Sequence, residues 1–236
     1  MSATPQMELP SADEYLAMMV ANNWLEMGYS TVVEYLARHT RPPARILDLG
    51  CGPGIFTRYL ADTFAAEALG VDPSDDMIAV ANRNFAADRV LFRAGRPEEI
   101  LRPLASQFDI VVSCFVLMHL PEADSHRQLA ECARSALRPG GQAVFLDMNP
   151  ASVGVQFASV RNGEPDVTYA SGDPMVTTVS TPNGPLHVHD RFWSAAHYRQ
   201  AIESAGFSVL EQFTLPPPSH DGTPADQFTV LIAEKK

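Results

Sequence analysis

Short apolar runs alternate with helix-like patterns through the middle of this 236-residue chain. The runs are rich in Val, Ile and Leu and contain few polar residues, which is typical of strands buried on both faces of a parallel sheet. Apolar residues recur at helical spacing in the segments between them. The predicted strands cover residues 45–49, 68–71, 90–93, 108–113 and 142–147, and the predicted helices cover residues 55–64, 74–84 and 122–137. This order predicts an α/β fold whose sheet carries helices on both faces.

The chain before this region has a helical pattern. Apolar residues recur there at helical spacing, and Gly28 is expected to divide the pattern into two helices. Arg41-Pro42-Pro43 should end the second helix, because proline cannot continue a helix and disfavours helix in the residue before it. We therefore expect residues 1–40 to form an N-terminal helical segment. Farther along, Pro139-Gly140-Gly141 predicts a turn after the last of the helices named above.

The rhythm of strands and helices breaks between residues 148 and 193. This segment holds many Pro, Gly and Asn residues and two alternating strand-like stretches, at 176–180 and 186–190. We interpret residues 148–193 as a cap inserted over the edge of the sheet. The pattern then resumes with a helix and two strands, at residues 194–205, 207–213 and 228–233. The chain is therefore expected to be a single domain over residues 1–236.

The composition restricts the partners of this chain. Lys and Arg number 17 against 28 Asp and Glu, and the net charge of −11 argues against a nucleic-acid backbone or an anionic membrane as the main partner. No apolar run approaches the roughly 18 residues that a membrane span needs, and the N-terminus lacks a signal-peptide pattern. Three cysteines without CxxC spacing indicate reduced thiols in the cytoplasm. We expect a small-molecule partner and no metal, and we leave a homodimer open.

The first predicted strand runs into a glycine-rich stretch, ILDLGCGPG, at residues 46–54. In an open parallel sheet, ligands bind beyond the carboxyl ends of the strands, where loops lead into helices. Gly50 and Gly52 would let the backbone approach such a ligand, and the alternative is an ordinary tight turn. The spacing is GxGxG and not the GxGxxG of dinucleotide-binding loops, and no Lys-Ser or Lys-Thr pair follows to bind phosphates. Asp48 would also repel phosphate and attract an ammonium group.

The second predicted strand ends in Val71-Asp72-Pro73-Ser74. An acid at this strand tip, about 20 residues after the glycines, is placed to accept hydrogen bonds from ribose hydroxyls. The alternative is an acid that stabilises the N-terminus of the next helix. A ligand with a ribose, no phosphate and a cationic amino-acid end matches S-adenosylmethionine.

At these residues the chain resembles the class I S-adenosylmethionine-dependent methyltransferases. The segments that carry the resemblance are ILDLGCGPGIFTRYL, GVDPSDDMIAVANR, FDIVVSCFVLMHLP and LRPGGQAVFLDM. The resemblance is strong over residues 44–147 and extends loosely through YRQAIESAGFSVLEQF to the C-terminus. It implies a Rossmann-like, seven-stranded, mostly parallel sheet with helices on both faces, N-terminal helices and a cap insertion. It also implies methyl transfer with S-adenosyl-L-methionine as the cofactor.

The resemblance further implies which residues hold that cofactor. The glycine loop would surround the methionine and ribose, the strand-tip acid would hold the ribose hydroxyls, and the end of the fourth strand would offer carbonyl oxygens to the amino group. Asp48 would face the amino group through water, and Met77 would pack against the adenine. The implied residues are Asp48, Gly50, Cys51, Gly52, Gly54, Asp72, Pro73, Met77, Gly95, Arg96, Ser113 and Cys114. The chain departs from the family at Arg96, where an Asp is common; Glu98, Glu99 or backbone groups would then meet the adenine.

Three histidines are candidates for catalysis. Holding the nucleophile, methyl carbon and sulfur in line alone contributes roughly 7–11 kcal/mol, and a general base is needed only when the acceptor arrives protonated. His119 follows the fourth strand, and its alternative role is structural, in the turn that follows. His187 and His189 alternate on a predicted strand and face one side, with Val188 and Asp190 opposite. Either could be the base if that side faces the pocket, and otherwise both lie on a solvated face.

The acceptor pocket is expected at the edge of the sheet, with contributions from the N-terminal helices and from the end of the cap. The candidate residues are Tyr15, Asp147, Phe192, Trp193 and Tyr198, with core packing as the alternative role for the aromatic ones. We predict O- or N-methylation of a small molecule in specialised metabolite biosynthesis. The alternatives are methylation of a peptide terminus, a nicotinamide-dependent oxidoreductase on a similar sheet, and a non-enzymatic binder of the cofactor. The absence of a Tyr-x-x-x-Lys pair argues against the oxidoreductase.

Overall fold

A seven-stranded sheet forms the centre of the protein in a computed structural model that describes residues 11–41, 44–181, 184–218 and 221–236. Its strands are β1 (Arg45–Leu49), β2 (Glu67–Asp72), β3 (Val90–Ala94), β4 (Phe108–Cys114), β5 (Leu137–Met148), β9 (Phe207–Leu215) and β10 (Phe228–Lys235). Their order is β3-β2-β1-β4-β5-β10-β9, and β10 runs antiparallel to both of its neighbours while the other strands pair in parallel. The predicted Rossmann-like, mostly parallel sheet is therefore confirmed.

Helices cover both faces of this sheet. They are α1 (Ala12–Ala21), α2 (Tyr29–His39), α3 (Ile55–Phe64), α4 (Asp75–Phe85), α5 (Pro97–Leu101), α6 (Ala123–Ala136) and α7 (Ala195–Ser204). Successive residues of β1 show the two-sided burial: Ile46 packs in the core that holds residues of α2 and α3, and Leu47 packs in the core that holds residues of α6 and α7. Across the described part of the chain, no helix is long and apolar enough to cross a membrane.

The segment between β5 and α7 contains a second, smaller sheet. Its strands are β6 (Val160–Asn162), β7 (Pro174–Thr181) and β8 (Gly184–Arg191), and all of its pairings are antiparallel. The two strand-like stretches predicted in this segment correspond to β7 and β8. The three-residue strand β6 has too short a pattern to be recognised in the sequence, because alternation needs at least four or so residues to be visible.

One local prediction differs from the structure, and one helix was not predicted. The expected turn at Pro139-Gly140-Gly141 lies inside β5, whose pairing with β4 shifts between Phe108 and Ile110. The extra residues in β5 form an irregular stretch in which Gly140 takes a positive φ of 73°. Helix α5 was not predicted, because its five residues are too few to show helical periodicity. Gly28 does separate α1 from α2, but Pro42, Pro43 and residues 1–10 lie outside the described residues.

One carboxylate lies inside the core at the end of β1. Asp48 is 2% exposed, and its Oδ2 accepts a hydrogen bond of 2.6 Å from the hydroxyl of Thr57 in α3. Burial raises the pKa of Asp48 to about 7, the hydrogen bond from Thr57 lowers it, and the negative charge of Asp72 raises it further. Because the pKa of Asp48 in the folded protein exceeds its ordinary value of 3.8, a protonated Asp48 stabilises the fold. This stabilisation is fully present below pH 3.8, declines as the pH rises, and is lost once the pH passes about 7.

We therefore expect Asp48→Asn to stabilise the fold more at high pH than at low pH. Its advantage in the free energy of unfolding should grow by on the order of 2 kcal/mol between pH 5 and pH 8, since one pKa unit is worth about 1.4 kcal/mol. Urea unfolding at both pH values measures this difference. Asp62→Asn is the control, because Asp62 is an exposed partner of Arg58. An equal effect of Asp48→Asn at pH 5 and pH 8 would contradict the assigned burial.

Candidate active site

The glycine loop at residues 50–54 joins the end of β1 to the start of α3. The backbone N–H groups of Gly50 and Cys51 both donate to the carbonyl oxygen of Val71, at 2.8 and 3.1 Å. The loop is thereby attached to the end of β2. Gly50, Gly52 and Gly54 all have positive φ, at 76°, 51° and 87°, a region that side chains other than glycine rarely adopt.

The three glycines serve different purposes. A Cβ on Gly50 would lie 2.3 Å from a methyl of Val116, and a Cβ on Gly54 would lie 2.7 Å from the ring of Phe92. Both positions therefore need glycine for packing within the protein. Among the described residues outside the loop, a Cβ on Gly52 would meet one atom within 4 Å, Cε1 of Tyr15 at 3.9 Å. Of the three glycines, only Gly52 has open space at its Cβ position, and an approach of a ligand to the backbone of Gly50 stays a prediction.

Asp72 at the tip of β2 connects the glycine loop to the start of α4. Its Oδ2 accepts the N–H of Gly52 and its Oδ1 accepts the N–H of Ser74, each at 2.9 Å. Burial raises the pKa of Asp72, whereas these two N–H groups and the nearby His119 lower it. A carboxylate has about four lone-pair sites, so each oxygen can accept one further hydrogen bond. Asp72 is thus suited to bind two neighbouring hydroxyl groups above Gly52.

Four further residues of the predicted cofactor site lie in or beside the glycine loop and the start of α4. The Cys51 side chain is buried in a core cluster with Ala61 and Phe92. Only the backbone of Cys51 could therefore contact a ligand at the loop. Met77 lies in the first turn of α4, half-buried, and its N–H donates to the Ser74 hydroxyl at 3.2 Å. Pro73 is exposed between the strand tip and the helix. The carboxylate of Asp48 contacts Thr57, beneath the loop.

The segment after β3 carries the predicted cofactor residues Gly95 and Arg96. The N–H of Gly95 donates to the carbonyl of Asp72 at 3.0 Å, which places this backbone beside the tip of β2. The Arg96 side chain is 71% exposed and its Nε lies 2.6 Å from Oε1 of Glu98. The Arg96 side chain is thus solvated and paired with Glu98, and its part in cofactor binding stays a prediction. The backbone groups of Gly95 and Arg96 remain candidates.

The end of β4 is anchored to the strands on either side. The Ser113 hydroxyl donates to the carbonyl of Leu49 in β1 at 3.0 Å, and the N–H of Phe115 donates to the carbonyl of Leu146 in β5 at 2.7 Å. Phe115 has a φ of 57°, which is strained for a residue other than glycine. The side chains of Ser113 and Cys114 are both buried. Their backbone carbonyls are therefore the groups that a ligand could contact.

The 3₁₀ turn Leu117–His119 directs a histidine toward the second sheet. Nδ1 of His119 lies 2.6 Å from Oδ1 of Asp190 in β8, and the Asp190 side chain is fully buried. Burial lowers the pKa of His119, but the hydrogen bond and charge of Asp190, with the charges of Asp147 and Asp72, raise it above its ordinary value overall. The bond at Nδ1 leaves Nε2 for another partner. This geometry makes His119 a stronger base than a free imidazole.

Asp147 holds the backbone of this turn through a hydrogen bond. It is fully buried in β5, and its two oxygens accept the N–H groups of Met118 at 3.2 Å and Met148 at 2.8 Å. Burial raises the pKa of Asp147 to about 6, while these N–H groups and His119 lower it. Asp147 was predicted to contact the acceptor, but its hydrogen bonds instead hold the segment that carries His119. We therefore interpret Asp147 as a positioning residue.

The placement of β8 contradicts the prediction for its two histidines. His187 and His189 face the same side as expected, but that side is exposed to solvent. Nδ1 of His187 contacts the hydroxyl of Thr178 on the neighbouring strand at 3.2 Å. The opposite face, with Val188 and Asp190, is buried because it closes a cavity. Alternation in the sequence predicted the two faces but not which of them turned inward.

A cavity of about 100 Å³ lies between α1, the loop after β4 and the inner face of the second sheet. This volume is well above the roughly 10–15 Å³ that holds one water molecule. Its wall is largely apolar, and five methionines contribute to it: Met18, Met19, Met27, Met118 and Met148. Tyr15, Asn162, His119 and Asp190 add polar groups. Within the described ranges, no group of three or more His, Cys, Asp or Glu side chains could hold a metal.

Tyr15 lies where the cavity meets the glycine loop. It lines the cavity and is the residue that a Cβ on Gly52 would approach. Burial raises the pKa of Tyr15 to about 12, with contributions from the charges of Asp72, Asp147 and Asp190. The hydroxyl therefore stays protonated at neutral pH. The predicted contribution of Tyr15 to the acceptor pocket agrees with this position.

The other aromatic residues predicted for the acceptor pocket lie beside a neighbouring cavity. Phe192, Trp193 and Tyr198 line a second, smaller cavity that shares Met118, Met148 and Asn162 with the first. The indole Nε1 of Trp193 donates to the carbonyl of Leu120 at 3.2 Å, so this ring supports the loop after His119. The three aromatic residues therefore line the adjoining second cavity, and their contact with the acceptor stays a prediction. Asn162 lines both cavities and was not predicted, because it belongs to no motif.

Comparison with known proteins gives a consistent result. A family described as Methyltransferase domain matches residues 46–141. The N-demethylindolmycin N-methyltransferase of Streptomyces griseus is 37% identical over 226 residues, which cover 94% of each chain. Among solved structures, Streptomyces venezuelae DesVI superposes with a TM-score of 0.67 at 20% identity, covering 96% of this chain and 98% of that one.

A second solved structure agrees in fold. The S-adenosylmethionine-dependent methyltransferase from Clostridium acetobutylicum superposes with a TM-score of 0.64 at 13% identity, covering 89% of this chain and 91% of that one. At such identities the two structures establish the shared fold, whereas the relative from Streptomyces griseus shares both sequence and length. The chain belongs to the class I S-adenosylmethionine-dependent methyltransferase family.

Proposed function

We propose that this enzyme transfers a methyl group from S-adenosylmethionine to a nitrogen atom of a small, largely apolar acceptor. The observation that carries the proposal is the meeting of two regions at Tyr15 and His119. On one side lies the open space above Gly52, bordered by Asp72. On the other side lies the methionine-rich cavity. A cofactor and an acceptor could therefore meet at a point that is enclosed by protein.

The residues at the glycine loop fit the cofactor. When bound, S-adenosylmethionine supplies an electrophilic methyl group on a sulfonium. Asp72 has a free lone pair on each oxygen for the two ribose hydroxyls, and Gly52 provides a surface without a Cβ. The carbonyls of Ser113 and Cys114 are suited to an ammonium group. Membership in the family also argues against the alternative of a nicotinamide-dependent oxidoreductase.

We assign His119 the role of general base. An amine that arrives as an ammonium must give up a proton before its lone pair can attack the methyl group, and Nε2 of His119 is the group available to accept that proton, while S-adenosylhomocysteine leaves as the neutral thioether. Asp190 binds Nδ1, which fixes the orientation of the ring and favours the positive charge that develops on it. Asp147 holds the backbone of Met118 and therefore the position of the turn. The remaining rate acceleration is attributed to alignment of the two reactants.

The nature of the acceptor is supported by two features. The relative from Streptomyces griseus, which matches along nearly the whole chain, is named for methylation of nitrogen in N-demethylindolmycin. Thioether side chains pack favourably against aromatic rings and adapt to irregular shapes, so a cavity lined by methionines suits an apolar, aromatic body. We propose that residues 148–193 act as a cap over this acceptor. The net charge of −11 favours a small molecule over a nucleic acid.

Incubation with methyl-labelled S-adenosylmethionine tests the proposed reaction. N-demethylindolmycin serves as one probe, together with aromatic amines and the alcohols that match them in shape. We expect label in the amines, with the product heavier by one methyl group, and little in the alcohols. Label confined to alcohols would overturn nitrogen methylation, and label in added peptides but in no small molecule would overturn the acceptor class.

Substitutions in the glycine loop should separate ligand binding from stability. Gly52→Val should remain folded, at a cost of about 1–3 kcal/mol for a side chain at the positive φ, and should lose S-adenosylmethionine binding because its side chain would occupy the open space. Gly54→Ala should instead lower the free energy of unfolding by about 1–3 kcal/mol, because its Cβ would overlap the ring of Phe92. Calorimetric titration and urea unfolding measure the two effects. Normal affinity in folded Gly52→Val would show that the loop is an ordinary turn.

The proposed base predicts a specific pH dependence. His119→Ala should lower single-turnover rates by about 10²–10⁴-fold with cofactor affinity unchanged. In the wild type the rate should rise with pH, with a midpoint above the ordinary histidine value of 6.5, since Asp190 raises the pKa of His119. Asp190→Asn should move that midpoint to lower pH by weakening this stabilisation of the imidazolium. His187→Ala and His189→Ala, on the exposed face, are the matched controls and should behave as wild type.

An unchanged profile in Asp190→Asn would remove His119 from proton transfer. Near-normal rates in His119→Ala would leave alignment of the reactants as the source of catalysis.

A further inference from the structure

The inner face of the second sheet is built from three rows of side chains. Val160, Val179 and Leu186 form the first row and are apolar. The second row contains Asn162, Thr177 and Val188, and the third contains Met175 and Asp190. This face closes the main cavity. Its polar side chains therefore stand out against an otherwise apolar surface.

Two of these polar side chains are incompletely satisfied. Asn162 is 2% exposed and Asp190 is 5% exposed. Oδ1 of Asn162 accepts the hydroxyl of Thr177 at 3.0 Å, and Oδ1 of Asp190 binds His119. Nδ2 of Asn162 and Oδ2 of Asp190, in contrast, have no hydrogen-bond partner among the described residues. Buried polar atoms are nearly always paired in folded proteins, so both atoms require an explanation.

The two unpaired atoms have opposite polarity. The Asn162 amide offers an N–H donor, and the Asp190 carboxylate offers an acceptor. Both residues line the same cavity, whose remaining wall is mainly apolar. A bound molecule could satisfy both atoms while its apolar body contacts the methionines. Unpaired polar groups that bind a ligand also reject molecules that lack the matching group.

The charges around the cavity restrict the ligand further. Asp190 lines the cavity, and Asp72 and Asp147 lie close enough to raise the pKa of Tyr15 together with it. Within the described ranges, no Lys or Arg lines the cavity. An anionic acceptor would be repelled here, whereas a neutral or cationic one would not.

We infer that the acceptor is a neutral or cationic molecule with an apolar body that carries both a carbonyl-type hydrogen-bond acceptor, bound by Asn162, and an N–H donor, bound by Asp190. This inference rests on the proposed function and specifies its substrate class. Thr177 is a positioning residue, because its hydroxyl fixes the Asn162 amide.

Binding of four matched fragments to the enzyme loaded with S-adenosylhomocysteine tests the inference. The probes are 2-naphthylacetamide, which has both groups, 2-(2-naphthyl)ethylamine with the donor, methyl 2-naphthylacetate with the acceptor, and 2-ethylnaphthalene with neither. NMR titration gives their affinities, and 2-naphthylacetate serves as the anionic probe. The amide should bind most tightly, and the anion should bind most weakly of the polar probes.

Variants assign each contact. Asn162→Leu should weaken the amide and the ester about five- to tenfold and leave the amine within twofold, since one hydrogen bond is lost. Asp190→Asn should weaken the amine and the amide and leave the ester. Thr178→Val, on the outer face of β7, is the control and should change none of the affinities. Equal affinities for all four fragments, including the absence of binding by any of them, would overturn the inference.

The stability of the free enzyme gives a second, independent measurement. If the Asn162 amide is held for a ligand, replacing it and its positioning partner by apolar groups should not harm the fold. The double variant Asn162→Leu/Thr177→Val should melt at or above the wild-type temperature. A clear loss of thermal stability would make Asn162 structural and overturn its assignment. These measurements need no turnover, so they can be interpreted even if the enzyme does not methylate nitrogen. If the enzyme methylates nitrogen but binds all four fragments equally, this inference is overturned and the proposed function stands.

Discussion

The rest of the site depends on the hydrogen bonds that the carboxylate of Asp72 accepts. Its two oxygens bind the N–H groups of Gly52 and Ser74, so one side chain fixes the glycine loop of β1 and the helix start after β2 at the same time. The backbone of Gly95 binds the carbonyl of the same residue, which adds the end of β3. Three adjacent strand ends are thereby held in one arrangement. In that arrangement Val116 occupies the space beside Gly50 and Phe92 occupies the space beside Gly54. Open space therefore remains beside Gly52.

A second set of carboxylates joins the large sheet to the small one. Asp147 holds the turn that follows β4 through the N–H of Met118, and Asp190 reaches the same turn from β8 through His119. The position of His119 is therefore fixed by two elements that are distant in sequence. Because Asp190 lies in β8, the raised pKa of His119 depends on the second sheet as well as on the turn that carries the histidine.

Local patterns in the sequence predicted the elements well where periodicity was long enough. The apolar run Arg45–Leu49 and the helix Ile55–Phe64 have the predicted bounds, and the family resemblance led to the cofactor. The roles of Gly50 and Gly54 could not be predicted, because they depend on contacts with Val116 and Phe92 from other elements. Alternation placed His187 opposite Asp190, but burial against the cavity decided which face is functional. Tertiary packing, which one sequence does not display, supplied that information.

A crystal structure of the enzyme with S-adenosylhomocysteine is the most direct measurement of this account. We expect both ribose hydroxyls to lie within hydrogen-bond distance of the Asp72 carboxylate. The ligand should pass over Gly52, and its sulfur should face Tyr15 and His119. A nucleoside bound elsewhere, or one whose sulfur points away from the methionine-lined cavity, would contradict the account.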